Sequence, residues 1–339
     1  MLVPYLRSSA IGTYKFCEHQ YYLQYVFGFS NKAGAAATKG TIFHKCAELR
    51  ALAGMAERIN ESEIEDDNFG IVKVDWAKDY KKTLPKVIEY YKGVETHIDF
   101  DKKISEKEID QWLTKSLIDY PEHDPATLNI IETEKFFDFE IKEPWARYSV
   151  TIDGEKHTGH LAIRGTIDTI IDHGDDVYEV LDFKTGRRND FATDEEKTVE
   201  YLKKDHQLLF YLYALNQLYP EKQFIMSLFF INAGGIFSVM GTKEMLKEAE
   251  HNIRKHFNLM QNVRKPPKRF DPSQKSWKCK YCCSFSKPTS FTNGASLCDF
   301  LHKKISEDGM KKTVEQYADL TKINTYGEGG GRKNDDKKD

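Results

Sequence analysis

Several things are missing from this 339-residue chain, and each absence removes a class of function. No apolar run approaches the length needed to cross a membrane. The opening Met1-Leu2-Val3-Pro4-Tyr5-Leu6-Arg7 lacks the basic-then-apolar layout of a secretion signal. Together these absences predict a cytoplasmic protein, or one of the host cytoplasm if it is phage-encoded. There is no Gly-x-x-x-x-Gly-Lys-Ser/Thr loop, so the chain has no nucleotide-driven motor of its own. Gly329-Gly330-Gly331-Arg332-Lys333 does not have that spacing. No Gly-x-Ser-x-Gly elbow appears, and no dinucleotide fingerprint follows a strand. Neither sign of charge dominates: 50 basic and 53 acidic residues leave a net charge of -3, which names no partner. Cysteine is scarce, with six in all, and in a reducing compartment these serve as metal ligands or buried thiols rather than disulfides.

What is present is organised around residues 165–211. Gly165-Thr166-Ile167-Asp168-Thr169-Ile170-Ile171 and Val177-Tyr178-Glu179-Val180-Leu181-Asp182-Phe183-Lys184 flank a turn at Gly174-Asp175-Asp176. Both runs are rich in Ile and Val, so they read as paired strands. Side chains two apart share one face of a strand, which sets Asp182 beside Lys184. Asp168 on the neighbouring strand supplies a second carboxylate. Two carboxylates repel unless a cation lies between them, and hard oxygen ligands suit Mg²⁺ or Mn²⁺. After a polar segment, Asp205-His206-Gln207-Leu208-Leu209-Phe210-Tyr211 has helical spacing, with Gln207 and Tyr211 on one face.

Asp, Asp-x-Lys and Gln-x-x-x-Tyr, in this order and on strand, strand and helix, resemble the PD-(D/E)xK nuclease superfamily. The RecB-like branch, with the AddB nuclease domains and the CRISPR-associated RecB-type exonucleases, is the nearest in pattern. The resemblance implies an α/β fold with a restriction-endonuclease-like core, a central mixed sheet flanked by helices. It implies Asp168, Asp182, Lys184, Gln207 and Tyr211 as catalytic residues. Asp168, Asp182, the carbonyl of Phe183 and His44 would form the Mg²⁺ or Mn²⁺ site. His44 enters through Gly40-Thr41-Ile42-Phe43-His44, which is similar to the branch's Gly-x-x-x-His accessory motif.

Taken in order, residues 1–56 are expected to be the N-terminal helical part of the nuclease domain. Within them Ser9, Tyr14, Cys17, Tyr21 and Tyr25 fall at largely helical intervals, and residues 33–37 read as a loop. Residues 57–129 are a helical insertion and a candidate lid or clamp. Its acidic start at 57–70 reads as a solvated loop or helix end, and 75–97 and 105–119 read as helices. Residues 130–263 are the nuclease core, with strands from Ile130, at 147–152, from Leu161 and at Phe224–Ile231, and a further helix at 243–262. Cys46 has no partner in any motif and reads as a buried thiol.

Residues 264–323 form a basic, cysteine-rich, metal-binding segment, with a last helix at 308–323, and 324–339 a disordered tail. Lys268, Arg269, Lys275, Trp277, Lys278 and Lys280, with Arg187 and Arg188 after the Asp-x-Lys strand, are candidate nucleic-acid contacts. Cations interleaved with aromatics suit phosphates and stacked bases, although a solvated basic loop has the same composition. Cys17, Cys279, Cys282 and Cys298 resemble the branch's [4Fe–4S] staple of one early and three late cysteines. The spacing departs from that pattern, since Cys298 lies sixteen positions after Cys282, and Cys283 is an alternative ligand. Structural zinc on Cys279, Cys282, Cys298 and His302 is the rival reading, but it leaves Cys17 unexplained.

The expected function is a metal-dependent deoxyribonuclease, a single-strand-preferring exonuclease acting on DNA with free ends in repair, recombination or replication. A separate helicase or recombination protein is an expected partner, and no membrane is involved. The alternatives are a structure-specific endonuclease of the same fold, or a nucleic-acid-binding subunit that does not cut.

Overall fold

The computed structural model describes residues 4–30, 34–152, 155–186, 188–189, 195–232, 234–261, 279 and 283–326. A two-residue strand β1 (Tyr5–Leu6) leads into helix α1 (Ser8–Phe16). Cys17 turns extended and caps α2 (Glu18–Tyr21), its Sγ accepting the Gln20 N–H at 3.5 Å. A π-helical turn at Tyr22–Val26 follows. The long helix α3 (Ala35–Arg58) starts inside the small-residue segment that the sequence suggested was a loop. Three successive alanines carry almost no helical penalty, so the helix extends back through them although Ala36 and Ala37 are exposed.

The insertion opens with a hairpin, β2 (Glu63–Asp66) and β3 (Gly70–Lys73), where a solvated acidic loop or helix end was expected. The reason is a lysine: Lys45 on α3 is buried and draws Asp66 inward to 2.6 Å, so the acidic strand has one face inside. Helices α4 (Val74–Ala77) and α5 (Tyr80–Val94) divide the first stretch expected to be helical, α6 (Phe100–Lys103) lies between the two stretches, and α7 (Glu106–Ile118) fills the second. Val74, Tyr80, Leu84, Val87, Ile109 and Leu113 pack with α3 into one buried cluster that reaches the sheet. Arg50 of α3 grips Asp124 with two 2.6 Å hydrogen bonds, closing the insertion onto the helix.

Then come β4 (Ile130–Glu140), a separate hairpin of β5 (Arg147–Ile152) with β6 (Glu155–His160), and β7 (Ala162–Asp172) and β8 (Val177–Lys184). Helices α8 (Val199–Leu202) and α9 (His206–Leu218), strands β9 (Gln223–Phe230) and β10 (Gly235–Met240) and helix α10 (Lys243–Gln261) complete the core. The main sheet is six-stranded, ordered β1-β7-β8-β9-β10, with β4 antiparallel along the other edge of β7. On the edge facing β8, β7 pairs with β1 only at Ala162 and Ile163, and with β8 only at Ile170, Ile171 and Asp172. Between those two ladders the sheet forks, and Asp168 lies in the gap.

One face of the sheet, with Ile163, Ile167, Val180, Met226 and Leu228, packs on α1, α9 and α10. The other, with Ile130, Ile171, Leu181, Phe183 and Phe229, packs on α3 and the insertion. The result is three layers around a mixed sheet, the architecture expected from the motifs. The C-terminal part is two helices, α11 (Leu297–Asp308) and α12 (Met310–Tyr326), rather than one. They share a satellite core with Leu23 and Phe29 of the N-terminal segment, against which Cys283 and Cys298 also pack.

Candidate active site

The fork gathers side chains from four elements. Strand alternation sends Leu181 and Phe183 to the α3 side, so Asp182 and Lys184 emerge on the α9 side. Opposite them α9 is capped by Asp205, which accepts the Gln207 and Leu208 N–H groups at 2.9 and 3.1 Å. Leu208 to Leu215 are all buried, burial worth on the order of 10 kcal/mol, so the helix face that carries Gln207 and Tyr211 is firmly placed. Gln207 is the hub: its Oε1 accepts from Lys184 Nζ, and its Nε2 donates to Asp182 Oδ1 and to the Tyr211 hydroxyl, all at 3.0 Å. Lys184 also forms an ion pair with Asp182.

The second half comes from β7 and α3. Gly40 lets α3 approach the end of β8, since a Cβ there would sit 3.3 Å from Thr185 Oγ1. One turn later His44 Nδ1 reaches Asp168 Oδ2 at 3.1 Å. The same carboxylate oxygen accepts the Phe183 N–H at 3.0 Å, a donor that the missing β7–β8 pairing leaves open. In a strand the N–H and C=O of one residue point to the same side, so the Phe183 carbonyl also faces the fork. Its ring packs between Phe43, His44 and Phe229 and holds that peptide still.

Glu134 is the residue that the sequence did not single out. It lies on β4 opposite Asp168, with a left-handed φ of 45°, and His44, Glu134 and Asp168 bring one ligand atom each within 4.8 Å of one another. A side chain on a kinked strand does not follow the period-two pattern, so alternation gave no signal for it.

Charge in the fork is unbalanced. Burial opposes a charge on His44, but the Asp168 carboxylate outweighs it and lifts the imidazole to about 9. Burial likewise works against ionised Asp168, but His44, Lys184 and the Phe183 N–H hold it low. Burial raises Asp182 to about 6; Lys184 pulls it down and Asp168 pushes it up. Glu134 is raised to about 8 by burial and by the Asp168 and Glu48 charges. Burial disfavours a charged Lys184, yet Asp182 and Asp168 keep it an ammonium. Tyr211 is raised well above a free phenol by burial and the same two carboxylates, so it stays neutral. Three carboxylates thus meet one lysine and one imidazole. Two of the three are forced towards their neutral forms, the condition that an added divalent cation relieves. Oxygen donors with one imidazole fit Mg²⁺ or Mn²⁺.

The remaining expected contacts divide. Arg188 is engaged within the fold, its guanidinium 3.7 Å over the Phe237 ring, 2.7 Å from Glu196 and donating to the Lys197 carbonyl. Arg187, Lys268, Arg269, Lys275, Trp277, Lys278 and Lys280 lie outside the described residues, as do Cys282 and the tail from 327. The N-terminal segment with Cys17 does meet the C-terminal helices, where the His19 and His302 rings stand edge-on at 5.3 Å. Among the described residues, no three of Cys17, Cys279, Cys283, Cys298 and His302 bring ligand atoms within 4.8 Å of one another.

No described helix is long and apolar enough to cross a membrane. No curated protein matches the sequence. Solved structures similar to it include a provisionally named exonuclease from Eubacterium rectale (11% identity, 86% of this chain and 92% of that one, TM-score 0.47) and the protein SSO0001 (15% identity, 70% and 93%, TM-score 0.26). The family model of the PD-(D/E)XK nuclease superfamily matches residues 8–286, a span that holds the whole fork, and the chain belongs to that superfamily.

Proposed function

We propose that the protein is a metal-dependent deoxyribonuclease of the RecB-like branch whose chemistry takes place at the β7–β8 fork. The observation that carries this is the convergence of His44, Glu134 and Asp168 on one point, beside the Asp182–Lys184 ion pair of the neighbouring strand. Asp168, Asp182, Glu134, His44 and the Phe183 carbonyl would hold Mg²⁺ or Mn²⁺. Such an ion supplies a water of lowered pKa and a Lewis acid for the phosphoryl oxygens. Lys184 orients that water and offsets charge on the scissile phosphate. Gln207 fixes Lys184 and Asp182 together, and Tyr211 fixes Gln207. A subunit that only binds has no physical need for this uncompensated cluster of buried acids, which favours cutting over binding alone.

Within that reading the protein is an exonuclease that prefers single strands, working in repair, recombination or replication beside a separate helicase or recombination protein. Support comes from the branch resemblance and from the basic, aromatic composition of 264–287, which suits unpaired bases. Cys17, Cys279, Cys282 and Cys298 are proposed to hold a [4Fe–4S] cluster, with zinc on Cys279, Cys282, Cys298 and His302 as the rival. The packing of Cys283 and Cys298 against the same small core as Leu23 and Phe29 supports a staple between the two ends. Anaerobic purification, a visible spectrum and metal analysis separate the two, and a colourless protein with one zinc, unchanged by Cys17→Ser, ends the cluster reading. Labelled single- and double-stranded DNA, linear and circular, with Mg²⁺ or Mn²⁺, tests the activity. Loss of end-labelled linear strands with closed circles intact is expected. Equal cutting of both makes it an endonuclease, and no cutting of either overturns the nuclease reading.

A further inference from the structure

Lys184 is the ammonium that faces the fork, and it is already engaged by Asp182 and Gln207. A divalent ion would offset the fork's carboxylates, but the next phosphate along a bound strand carries a charge of its own. Lys197 stands where it can meet that charge.

Its position follows from the sheet. Phe230 on β9 is the partner of Lys184 in the parallel β8–β9 ladder. Both side chains leave the sheet on the α9 side, since Phe230 joins the core beneath α9 and Lys184 donates to Gln207. The Lys197 ammonium lies 5.9 Å from the centre of the Phe230 ring and 5.2 Å from that of Tyr201. One ring therefore separates it from the catalytic strand. His206, next to Gln207, reports the same neighbourhood. Burial holds its imidazole below the ordinary range, Asp205 opposes, and the charges of Lys15, Lys184 and Lys197 push it further down. Both Lys184 and Lys197 are thus close enough to act on one side chain.

The charge on Lys197 is held but not cancelled. Ring faces attract an ammonium and leave it a cation. Among the described residues no carboxylate pairs with it, and its chain neighbour Glu196 is turned to Arg188 at 2.7 Å. The main chain is fixed independently of the ammonium. The Lys197 N–H donates to the Arg188 carbonyl at 3.2 Å, and the Lys197 carbonyl accepts from Arg188 Nε at 3.0 Å. A bridge between Asn189 and Glu196 joins the same two segments. The side chain is half-buried, so its head is placed and still reachable.

We propose that Lys197 binds the phosphate adjacent to the scissile one and so fixes the strand on the α9 side of the fork. The proposal rests on the nuclease reading and adds a backbone contact to it. An ammonium is a point charge with rotatable donors, which suits a phosphate in any sequence and reads no base.

The test is the salt dependence of binding. Affinity for a labelled single-stranded oligonucleotide is measured over a range of salt concentrations, in an Asp182→Ala background without divalent metal. Lys197→Gln is expected to weaken binding about tenfold at low salt and to flatten the slope of log affinity against log salt by about 0.7, the share of one phosphate on a single strand. Lys197→Arg keeps the charge and is expected to keep the parental slope. Lys197→Met keeps an apolar stem against the two rings and serves as the second variant if Lys197→Gln melts early; it should flatten the slope equally. Oligonucleotides with one neutral methylphosphonate locate the contact: the parent should lose affinity at the linkage beside the cut bond, and Lys197→Gln should not. Weaker binding with the parental slope means that Lys197 only clips the rings together, and it overturns the proposal, as does parental affinity in a folded variant. Cutting by the otherwise unaltered protein is scored in parallel. If it cuts while the variants keep the parental slope, the Lys197 contact falls alone. If it neither binds nor cuts, the nuclease reading falls and the contact with it.

Discussion

Adjacent residues of α3 lead into two buried charge clusters, and the contrast between them separates function from architecture. Lys45 lies between Glu48 at 2.8 Å and Asp66 at 2.6 Å. Lys184 lies beside Asp182 and Gln207, with Asp168, His44 and Glu134 just beyond. Burial opposes the charge of both lysines, and nearby carboxylates restore it in both. Charge state therefore does not tell them apart. Access does: the Lys45 side chain is 6% exposed, Lys184 31%. The Lys45 cluster is largely shut away from solvent and ties the insertion hairpin to α3. The Lys184 cluster opens onto the fork and has more carboxylate than its cations can neutralise. A buried ion pair that is complete reads as architecture, and one that is incomplete and reachable reads as chemistry.

The sharpest way to break this comparison is to remove each lysine. Lys184→Ala or Asp182→Ala is expected to lower metal-dependent DNA cleavage by about a thousandfold or more while the melting temperature stays near that of the parent. Undiminished cleavage by either, in a preparation free of host nuclease, refutes the assignment. Lys45→Ala should do the reverse. It strands Asp66 and Glu48 without their cation, at a cost of about 3–5 kcal/mol seen in urea or thermal unfolding. Cleavage per folded molecule should be retained, and a stable but inactive Lys45→Ala would merge the two clusters into one functional unit.

A finer cut lies inside the catalytic cluster. Glu134→Gln and His44→Ala are expected to weaken Mn²⁺ binding about ten- to a hundredfold, followed by the Mn²⁺ magnetic resonance signal rather than by activity. They should leave oligonucleotide affinity nearly unchanged. Gln207→Ala, which loosens Lys184 without removing a ligand, should slow turnover and leave Mn²⁺ binding in place.

The smallest expected effect concerns Cys46, which follows Lys45 on α3 and is buried in the core shared with the insertion. Burial pushes its thiol up to about 12, with Thr83 and Lys45 opposing weakly. At pH 8 it is therefore protonated and should resist alkylation in the folded protein, reacting only as fast as the insertion separates from α3. Mass spectrometry of a short iodoacetamide exposure checks this, and rapid labelling of Cys46 would mean that the insertion opens readily.

Asp168, Asp182, Lys184, Gln207 and Tyr211 were legible because each follows a local rule. Strand alternation and the four-residue helix repeat put them on shared faces without knowledge of the rest of the chain. The helices of the insertion and the order of the core elements were legible from periodicity in the same way. Four things were decided by tertiary structure. The β2–β3 hairpin exists because Lys45, distant in sequence, needs a buried partner. The insertion is a structural layer because its apolar residues meet α3 and the sheet. Glu134 enters the site through a kink in β4 that no local pattern encodes. The fork arises because β1 and β8 share one edge of β7 and leave the stretch around Asp168 unpaired. Local repeats fix which side chains stand together on one element. Which elements meet, and where a sheet parts to admit a substrate, depends on contacts between residues far apart in the chain.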